Sequence, residues 1–150
     1  MAAMRILFLC TGNSARSQIA EALLRARGGD RFEVASAGTE PTVVDPLTVE
    51  VLRERGIHAA DAVSKHLQRY LEEPWDYVVT VCDRAAESCP VFPGAARLLH
   101  WSFPDPAAEE GDAERRRAFR SVAEAIGEQV DAFVRDVEDV EAGGSDSARR

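Results

Sequence analysis

A short apolar run leads directly into a turn of small polar residues near the start of the chain. Residues 5–9, RILFL, have the length and character of a buried strand, and residues 17–27 place apolar side chains on one side of a helix. The turn between them, CTGNSAR, contains Cys10 and Arg16. A strand, a tight turn and a helix in this order are typical of the first unit of an α/β fold.

The alternation of strands and helices continues along the chain. Asp45 is a predicted N-cap, and Pro46 is suited to the first turn of the helix that follows. Alternating strands and helices favour a parallel sheet covered on both faces, so we expect a three-layer α/β sandwich around a four-stranded parallel sheet. The predicted strands are residues 5–9, 31–37, 75–81 and 97–100, and the predicted helices are residues 17–27, 46–55, a short helix within 61–70, and 112–137.

Length and composition restrict the domain organisation and the partners. A chain of 150 residues favours one domain, here residues 1–137, while the polar, Gly- and Ser-rich residues 138–150 are predicted to be disordered. A net charge of −8 argues against nucleic acid or an anionic membrane as the main partner. No apolar run approaches the roughly 18 residues of a membrane span. Because the start of the chain also lacks the pattern of a signal peptide, we expect a cytoplasmic protein, and we expect it to be a monomer.

The turn after the first strand has the chemistry of an oxyanion site. Its backbone N–H groups can point inward at the N-terminus of a helix, an arrangement that binds tetrahedral anions. Gly12 and Asn13 tolerate the left-handed backbone that such a turn needs. Arg16 can grip two oxyanion oxygens with its planar guanidinium group. We call residues 11–16 the anion loop, and the predicted oxyanion-binding residues are Thr11, Gly12, Asn13, Ser14, Ala15 and Arg16.

The same turn places a thiol beneath the predicted anion. Groups that stabilise a bound anion also stabilise the thiolate of Cys10, and Ser17 can donate a hydrogen bond to it. The structural alternative is a buried cysteine at a strand end with Arg16 on the surface. A nucleotide-binding loop of the form G-x-x-x-x-G-K-[ST] does not fit, because the turn contains no lysine.

Two more cysteines lie in the sequence VCDRAAESCP, at positions 82 and 89. We call residues 82–89 the redox segment. If the segment is helical, the two α-carbons lie about 10 Å apart, whereas a disulfide needs less than about 7 Å. A bond between them therefore requires unwinding, which Asp83, Ser88 and Pro90 would permit. The alternatives are two buried small side chains or, against the usual ligand spacing, a zinc site.

A carboxylic acid follows the last predicted strand. Asp105 lies in HWSFPDPA, residues 100–107, which we call the acid loop, and its carboxyl group can protonate a leaving oxygen. The alternative is an Asp-Pro pair that only forms a turn. Because Cys10, Cys82 and Asp105 each follow a predicted strand, we expect them to meet at the carboxyl edge of the sheet.

These motifs together resemble a known family. CTGNSARS at residues 10–17 and SAGT at residues 36–39 resemble the low-molecular-weight protein tyrosine phosphatases. VTVCDRAAESCP resembles the redox segment of the thioredoxin-coupled arsenate reductases built on that scaffold, and HWSFPDP resembles their acid loop. Phosphatases of this fold carry tyrosines after their Asp-Pro pair to hold a phenyl ring, where this chain has Ala107 and Ala108. A small inorganic oxyanion suits that difference.

The resemblance implies a function and a set of catalytic residues. Arsenate would be attacked by a thiolate in the anion loop, and two further thiols would complete its reduction to arsenite, with reduced thioredoxin as the electron donor. Phosphate or sulfate would occupy the same cradle, so weak phosphatase activity is expected. The implied catalytic residues are Cys10, Arg16, Ser17, Cys82, Cys89 and Asp105.

Two other functions remain open at this point, as does the reductant. A phosphatase acting on phosphotyrosine or phosphoarginine would use Cys10, Arg16 and Asp105 without needing the other cysteines. A redox- or anion-sensing module would use Cys82 and Cys89 as a switch without needing a proton donor. Glutaredoxin or a small thiol could replace thioredoxin as the reductant.

The resemblance also raises the question of a potassium ion, which some members bind beside the anion loop. The matching positions are Asn13, Glu21 and Ser36, but the adjoining loop reads Val63-Ser64-Lys65 and lacks a carboxylate. We hypothesise that Lys65 replaces the cation, with its ammonium group meeting Glu21. The alternative is an exposed lysine. No tightly bound cofactor is expected.

Overall fold

Four parallel strands in the order β2-β1-β3-β4 form the centre of the protein. The computed structural model describes residues 3–89 and 92–143. This architecture confirms the predicted α/β class and the four-stranded parallel sheet. The strands are β1 Met4–Cys10, β2 Phe32–Gly38, β3 Trp75–Thr80 and β4 Ala95–His100, and the helices are α1 Arg16–Gly28, α2 Pro46–Glu54, α3 Asp83–Ser88 and α4 Asp112–Gly143.

Apolar side chains from β1 point alternately to the two faces of the sheet. Ile6 and Phe8 belong to a cluster that also contains buried residues of α1, α2 and α4, whereas Leu7 and Leu9 belong to a second cluster on the opposite face. All four side chains are fully buried. A central strand of a parallel sheet is buried on both faces, which explains its continuous apolar sequence.

Two predicted elements differ from the observed ones. The short helix expected within residues 61–70 is a 3₁₀ turn, Leu67–Tyr70, whose Leu67 packs in the second cluster. Helix α4 does not end at Val137 but continues to Gly143, into the segment predicted to be disordered. In this extension Glu138 forms an exposed ion pair with Arg31, which lies just before β2. The remaining predicted tail, residues 144–150, lies outside the described residues.

The chain direction brings the ends of all four strands to one edge of the sheet. At this edge β1 ends at Cys10, which lies opposite Gly38 at the end of β2. Helix α2 is attached to the same edge, because the hydroxyl of Thr48 donates to the Ser14 carbonyl at 2.8 Å. The predicted cap is also present, since Asp45 accepts a hydrogen bond from the Leu47 amide at 2.9 Å. Within the described part of the chain, no helix has the length and apolar character required to cross a membrane.

Gly38 makes a close backbone contact with the anion loop. A Cβ atom at this position would lie 2.4 Å from the Thr11 carbonyl oxygen and 3.0 Å from the Asn13 nitrogen. Both neighbours are backbone atoms, which cannot move aside as a flexible side chain can. The end of β2 therefore fixes the position of the loop.

We expect Gly38→Ala to lower both stability and oxyanion affinity. The added methyl group forces β2 and the anion loop apart, which should cost about 1–3 kcal/mol in the free energy of unfolding. Urea unfolding and calorimetric titration with inorganic phosphate measure the two effects.

Gly127→Ala is the matched control for this substitution. The nearest atom to its added Cβ would lie 3.7 Å away, an ordinary contact, and the position is inside α4. Alanine there should leave phosphate affinity unchanged and raise stability by up to about 1 kcal/mol. Wild-type stability and phosphate affinity in Gly38→Ala would contradict the assigned contact.

Candidate active site

The backbone of the anion loop is turned by its pairing with residues 39–45. Amides of residues 39, 40, 42 and 45 donate to the carbonyls of residues 10, 11, 12 and 14, at 2.9–3.2 Å. In a trans peptide the C=O and N–H groups point in opposite directions. The N–H groups that follow these carbonyls therefore face away from residues 39–45. Residues 10–12 and 14–16 line an open cavity of about 510 Å³.

The left-handed residue of the loop is Asn13, with φ of 50°. Gly12, which the sequence also made a candidate for this conformation, does not adopt it. Its small size serves a different purpose, because a Cβ at Gly12 would approach the Thr42 hydroxyl to 3.1 Å. The glycine thus allows residues 39–45 to pack closely against the loop.

The side chain of Asn13 is fully buried and hydrogen-bonded at both ends. Its Nδ2 donates to the hydroxyls of Ser17 and Ser36 at 2.8 and 2.9 Å. Its Oδ1 accepts from Gln18 Nε2 at 3.0 Å and from the Lys65 amide at 2.9 Å. These four bonds satisfy the side-chain amide of Asn13. They also offset the conformational cost of placing a residue other than glycine in the left-handed region.

The Cys10 thiol lies at the base of the cavity and is only 3% exposed. Its Sγ is 2.8 Å from Ser17 Oγ. Since that hydroxyl oxygen accepts from Asn13, its own hydrogen is available to the sulfur. Ser17 can therefore donate to a Cys10 thiolate, as the sequence predicted.

Arg16 connects the anion loop to the acid loop. It is the first residue of α1, and the preceding Ala15 has no polar side chain that could cap the helix amides. One guanidinium nitrogen, Nη1, donates to the Phe103 carbonyl at 3.0 Å. Because the Arg16 side chain lines the cavity, its other guanidinium nitrogens can bind an anion there.

Asp105 lies at the exposed rim of the same cavity. Its Oδ1 accepts from the Ala107 amide at 3.0 Å and caps a 3₁₀ turn, Pro106–Ala108. The Asp-Pro pair therefore forms a turn, and the same turn places Asp105 in the lining of the cavity that the anion loop also lines. The two interpretations drawn from the sequence are compatible here.

Cys82 is placed beside the anion loop by the register of two neighbouring strands. Leu9 lies opposite Thr80 in β1 and β3, so residues two positions further along each strand also come together. Cys82 Sγ lies 3.5 Å from Thr11 Oγ1 and is 3% exposed. It also accepts from the Ala85 amide at 3.4 Å and so caps α3. Cys10 and Cys82 consequently line one cavity.

Cys89 follows α3 and lies in a different environment. It packs against the second apolar cluster, and burial raises the pKa of its thiol. The structure contains no disulfide between Cys10, Cys82 and Cys89. Because α3 separates Cys82 from Cys89 by about 10 Å along its axis, the segment must unwind before these two can form a disulfide. Pro90, predicted to stop the helix, lies outside the described residues.

One feature of the site was not found from the sequence. Asp83, at the start of α3, also lines the cavity and accepts from His100 Nε2 at 2.8 Å. Hydrogen bonds from His100 and Ser102 lower the pKa of this carboxyl. The pairing of β3 with β4 places His100 there, and nothing in the local sequence of either residue signals the contact.

The potassium-site positions come together, but their contacts differ from the hypothesis. Ser36 donates to Glu21 at 2.6 Å. Glu21 forms its ion pair with Arg25, Nη2 to Oε2 at 2.6 Å, and Lys65 Nζ instead donates to the Val63 carbonyl at 2.8 Å. The direct Lys65–Glu21 contact is therefore wrong. Burial lowers the pKa of Lys65, and the nearby charge of Glu21 acts in the opposite direction.

These contacts leave a poor site for a cation. The Glu21 carboxylate is already neutralised by Arg25, and both bonds to Asn13 Oδ1 come from N–H donors. A half-buried ammonium group on Lys65 adds a second positive charge nearby. The residues present do not fit a potassium ion. A larger cavity of about 720 Å³ between α1 and residues 56–65 adjoins this position, and no cysteine lines it.

The arrangement combines an anion cradle, a buried thiol and a carboxyl group that can donate a proton. Cys10 lies beneath the cradle, Arg16 and the amides of the loop supply positive potential, and Asp105 stands at the rim. A second thiol, Cys82, lines the same cavity, and Cys89 lies at the other end of the short helix α3. Attack on a tetrahedral oxyanion, followed by thiol exchange, is the chemistry that this geometry supports.

Comparison with known proteins agrees with this geometry. The family of low molecular weight phosphotyrosine protein phosphatases matches residues 5–142. An arsenate reductase of Halalkalibacterium halodurans is 42% identical over 129 residues, which cover 85% of this chain and 93% of the relative.

Solved structures of arsenate reductases share the fold. One in the phosphate binding state superposes with a TM-score of 0.77 at 25% identity, covering 89% of this chain and 98% of the other. A thioredoxin-dependent arsenate reductase from Corynebacterium glutamicum gives 0.70 at 30% identity, covering 91% of this chain and 62% of the other. With this support, the chain belongs to the low molecular weight phosphotyrosine protein phosphatase family, and the relatives named here are arsenate reductases.

Proposed function

We propose that this protein reduces arsenate to arsenite through a relay of three cysteines. The observation that carries the proposal is the position of Cys82, buried beside the anion loop and 3.5 Å from Thr11. A phosphatase of this fold needs the thiol of Cys10 and has no use for a second thiol in the same cavity. The similarity to arsenate reductases, at up to 42% identity, supports the same activity.

The first step joins arsenic to the enzyme. Arsenate binds to the amides of the anion loop and to Arg16, and the Cys10 thiolate attacks the arsenic atom. Asp105 protonates the departing hydroxide, which leaves as water. The product is a Cys10 thioester of arsenic(V), and no electrons have yet been transferred to arsenic.

The second step reduces the arsenic. The Cys82 thiolate attacks Cys10 Sγ and forms a disulfide, while the electron pair of the S–As bond remains on arsenic. Arsenic(V) becomes arsenic(III) and leaves as arsenite. The two electrons come from the two thiols, which are oxidised to the Cys10–Cys82 disulfide.

The third step restores the nucleophile. Helix α3 opens, the Cys89 thiolate attacks Cys82 Sγ, and the Cys10 thiolate is released. The resulting Cys82–Cys89 disulfide is then reduced by the dithiol of thioredoxin, which becomes oxidised in turn. The thioredoxin-dependent relative supports this choice of reductant. A relay that must return to the thiol state suits a reducing compartment, so we assign the protein to the cytoplasm.

Arsenate-dependent NADPH oxidation with thioredoxin and thioredoxin reductase tests the proposal. Wild-type protein should turn over continuously, whereas Cys89→Ser should stop after one equivalent and lose at least about 100-fold in steady-state rate. Hydrolysis of p-nitrophenyl phosphate, measured in parallel, should remain slow and equal in the two proteins because Cys10 is the one cysteine of the three that it needs. Cys10→Ser, which removes the nucleophile, should abolish both activities.

The competing outcomes are distinct. Turnover with glutaredoxin or a small thiol, but not with thioredoxin, would keep the relay and change the reductant. No arsenite with any thiol donor, combined with efficient phosphate ester hydrolysis, would instead establish a phosphatase in which Cys82 and Cys89 take no part.

The raised pKa of Cys89 predicts a pH dependence for the third step. Because burial disfavours the thiolate, most of this thiol is protonated at neutral pH. Conversion of the Cys10–Cys82 to the Cys82–Cys89 disulfide should accelerate about tenfold per pH unit and keep rising above the ordinary thiol pKa of about 8.5. Rapid alkylation and mass spectrometry after a single turnover measure the conversion. A rate that becomes constant below pH 8 contradicts this prediction.

The contacts around Glu21 predict that potassium does not change the arsenate reductase activity. Replacing choline chloride by potassium chloride at constant ionic strength should change kcat/KM for arsenate by less than about twofold, because Arg25 and Lys65 already supply positive charge there. Strong activation by potassium would show that these side chains rearrange to admit the ion.

A further inference from the structure

The carboxylate of Asp83 ties the start of α3 to the end of β4. Its Oδ1 accepts from His100 Nε2 at 2.8 Å and from Ser102 Oγ at 3.1 Å. Asp83 directly follows Cys82 in the chain and is the first residue of α3. The anchor therefore acts on the peptide next to the central thiol of the relay.

His100 is itself held by the sheet. Thr80 and His100 lie opposite each other in β3 and β4, and Thr80 Oγ1 is 2.7 Å from His100 Nδ1. A carboxylate can only accept, so Nε2 must carry the hydrogen that points to Asp83. The chain of contacts Thr80–His100–Asp83 thus joins α3 to two strands of the sheet.

The N-terminal end of α3 is held by side-chain contacts on both of its first residues. At the N-terminal end, Cys82 is 3% exposed and caps the helix, and Ala85 is fully buried. Ala86 and Glu87 further along the helix are exposed to solvent, and Cys89 beyond it packs against the second apolar cluster. A helix of six residues has little stability of its own, so side-chain contacts decide which end opens first.

The Asp83–His100 pair is too exposed to matter much for global stability. The Asp83 side chain is 74% exposed and that of His100 is 38% exposed, and exposed ion pairs contribute little to folding. A weak contact can still fix one end of a short helix, because local opening requires far less free energy than global unfolding.

The relay needs one end of α3 to stay in place and the other to move. Cys82 must stay beside Cys10 to attack it, and must then be attacked in turn by Cys89. The end of α3 that carries Cys89 therefore has to travel, while the end that carries Cys82 must not.

Building on the proposed relay, we propose that Asp83 is a positioning residue, held by His100 and Ser102, that anchors the N-terminal end of α3 so that the helix opens from its Cys89 end. The anchor acts on the redox segment, and Asp83 does not touch the reacting sulfur atoms.

Hydrogen exchange of the full-length reduced protein tests the anchor without arsenate. In Asp83→Ala, the amides of Ala85 and Ala86 should exchange at least about tenfold faster than in wild type, because both donate to Cys82 across the first turn. Glu87→Ala removes a carboxylate from the exposed end of the same helix and should leave these two amides unchanged. Unchanged exchange in Asp83→Ala overturns the proposal, whatever the arsenate assay gives.

Kinetics then separate positioning from general damage. In a Cys89→Ser background, Asp83→Ala should slow single-turnover arsenite release about tenfold, while the apparent KM for arsenate is unchanged or lower, since a negative charge near Arg16 has been removed. His100→Gln, which keeps an N–H donor, should retain more of this rate than His100→Ala. Equal rates in the two His100 variants would overturn the assigned contact.

A failure of the proposed relay can be distinguished from a failure of the proposed anchor. If wild-type protein releases no arsenite, the relay is wrong, yet the exchange experiment still reports whether Asp83 anchors α3. If arsenite is released at the wild-type rate by Asp83→Ala, the relay stands and the anchor is rejected.

Discussion

The buried amide of Asn13 is the interaction on which the site depends. It holds a left-handed residue in the middle of the anion loop and joins that loop to α1 through Ser17, to β2 through Ser36, and to the segment before the 3₁₀ turn through the Lys65 amide. All four bonds of the side chain are made inside the protein. The hydroxyl of Ser17 is thereby oriented towards Cys10, so one buried side chain sets both the shape of the cradle and the surroundings of the nucleophile.

The proposed anion site lies in a protein whose net charge is −8. Part of the positive potential comes from backbone N–H groups and a helix N-terminus, which carry no net charge of their own. Arg16 adds a full charge and also fixes the acid loop through Phe103. A local anion site is therefore compatible with an acidic protein, because it depends on the geometry of the loop and on Arg16.

Two of the three thiols share one environment, and the third lies in another. Cys10 and Cys82 are buried at the ends of adjacent strands, where each has a hydroxyl neighbour. Cys89 packs against the other apolar cluster beyond a six-residue helix. A short helix anchored at one end suits a step in which only the last thiol has to move.

Local patterns in the sequence determined the strands, most helices, the anion loop and the three thiols, because each depends on residues that are neighbours in the chain. The sequence also implied that Cys10, Cys82 and Asp105 share one edge, since parallel strands end together. Tertiary structure alone decided that His100 reaches Asp83 and that the Lys65 amide reaches Asn13. Those contacts depend on strand register and side-chain direction, which join residues far apart in the chain and leave no local signature.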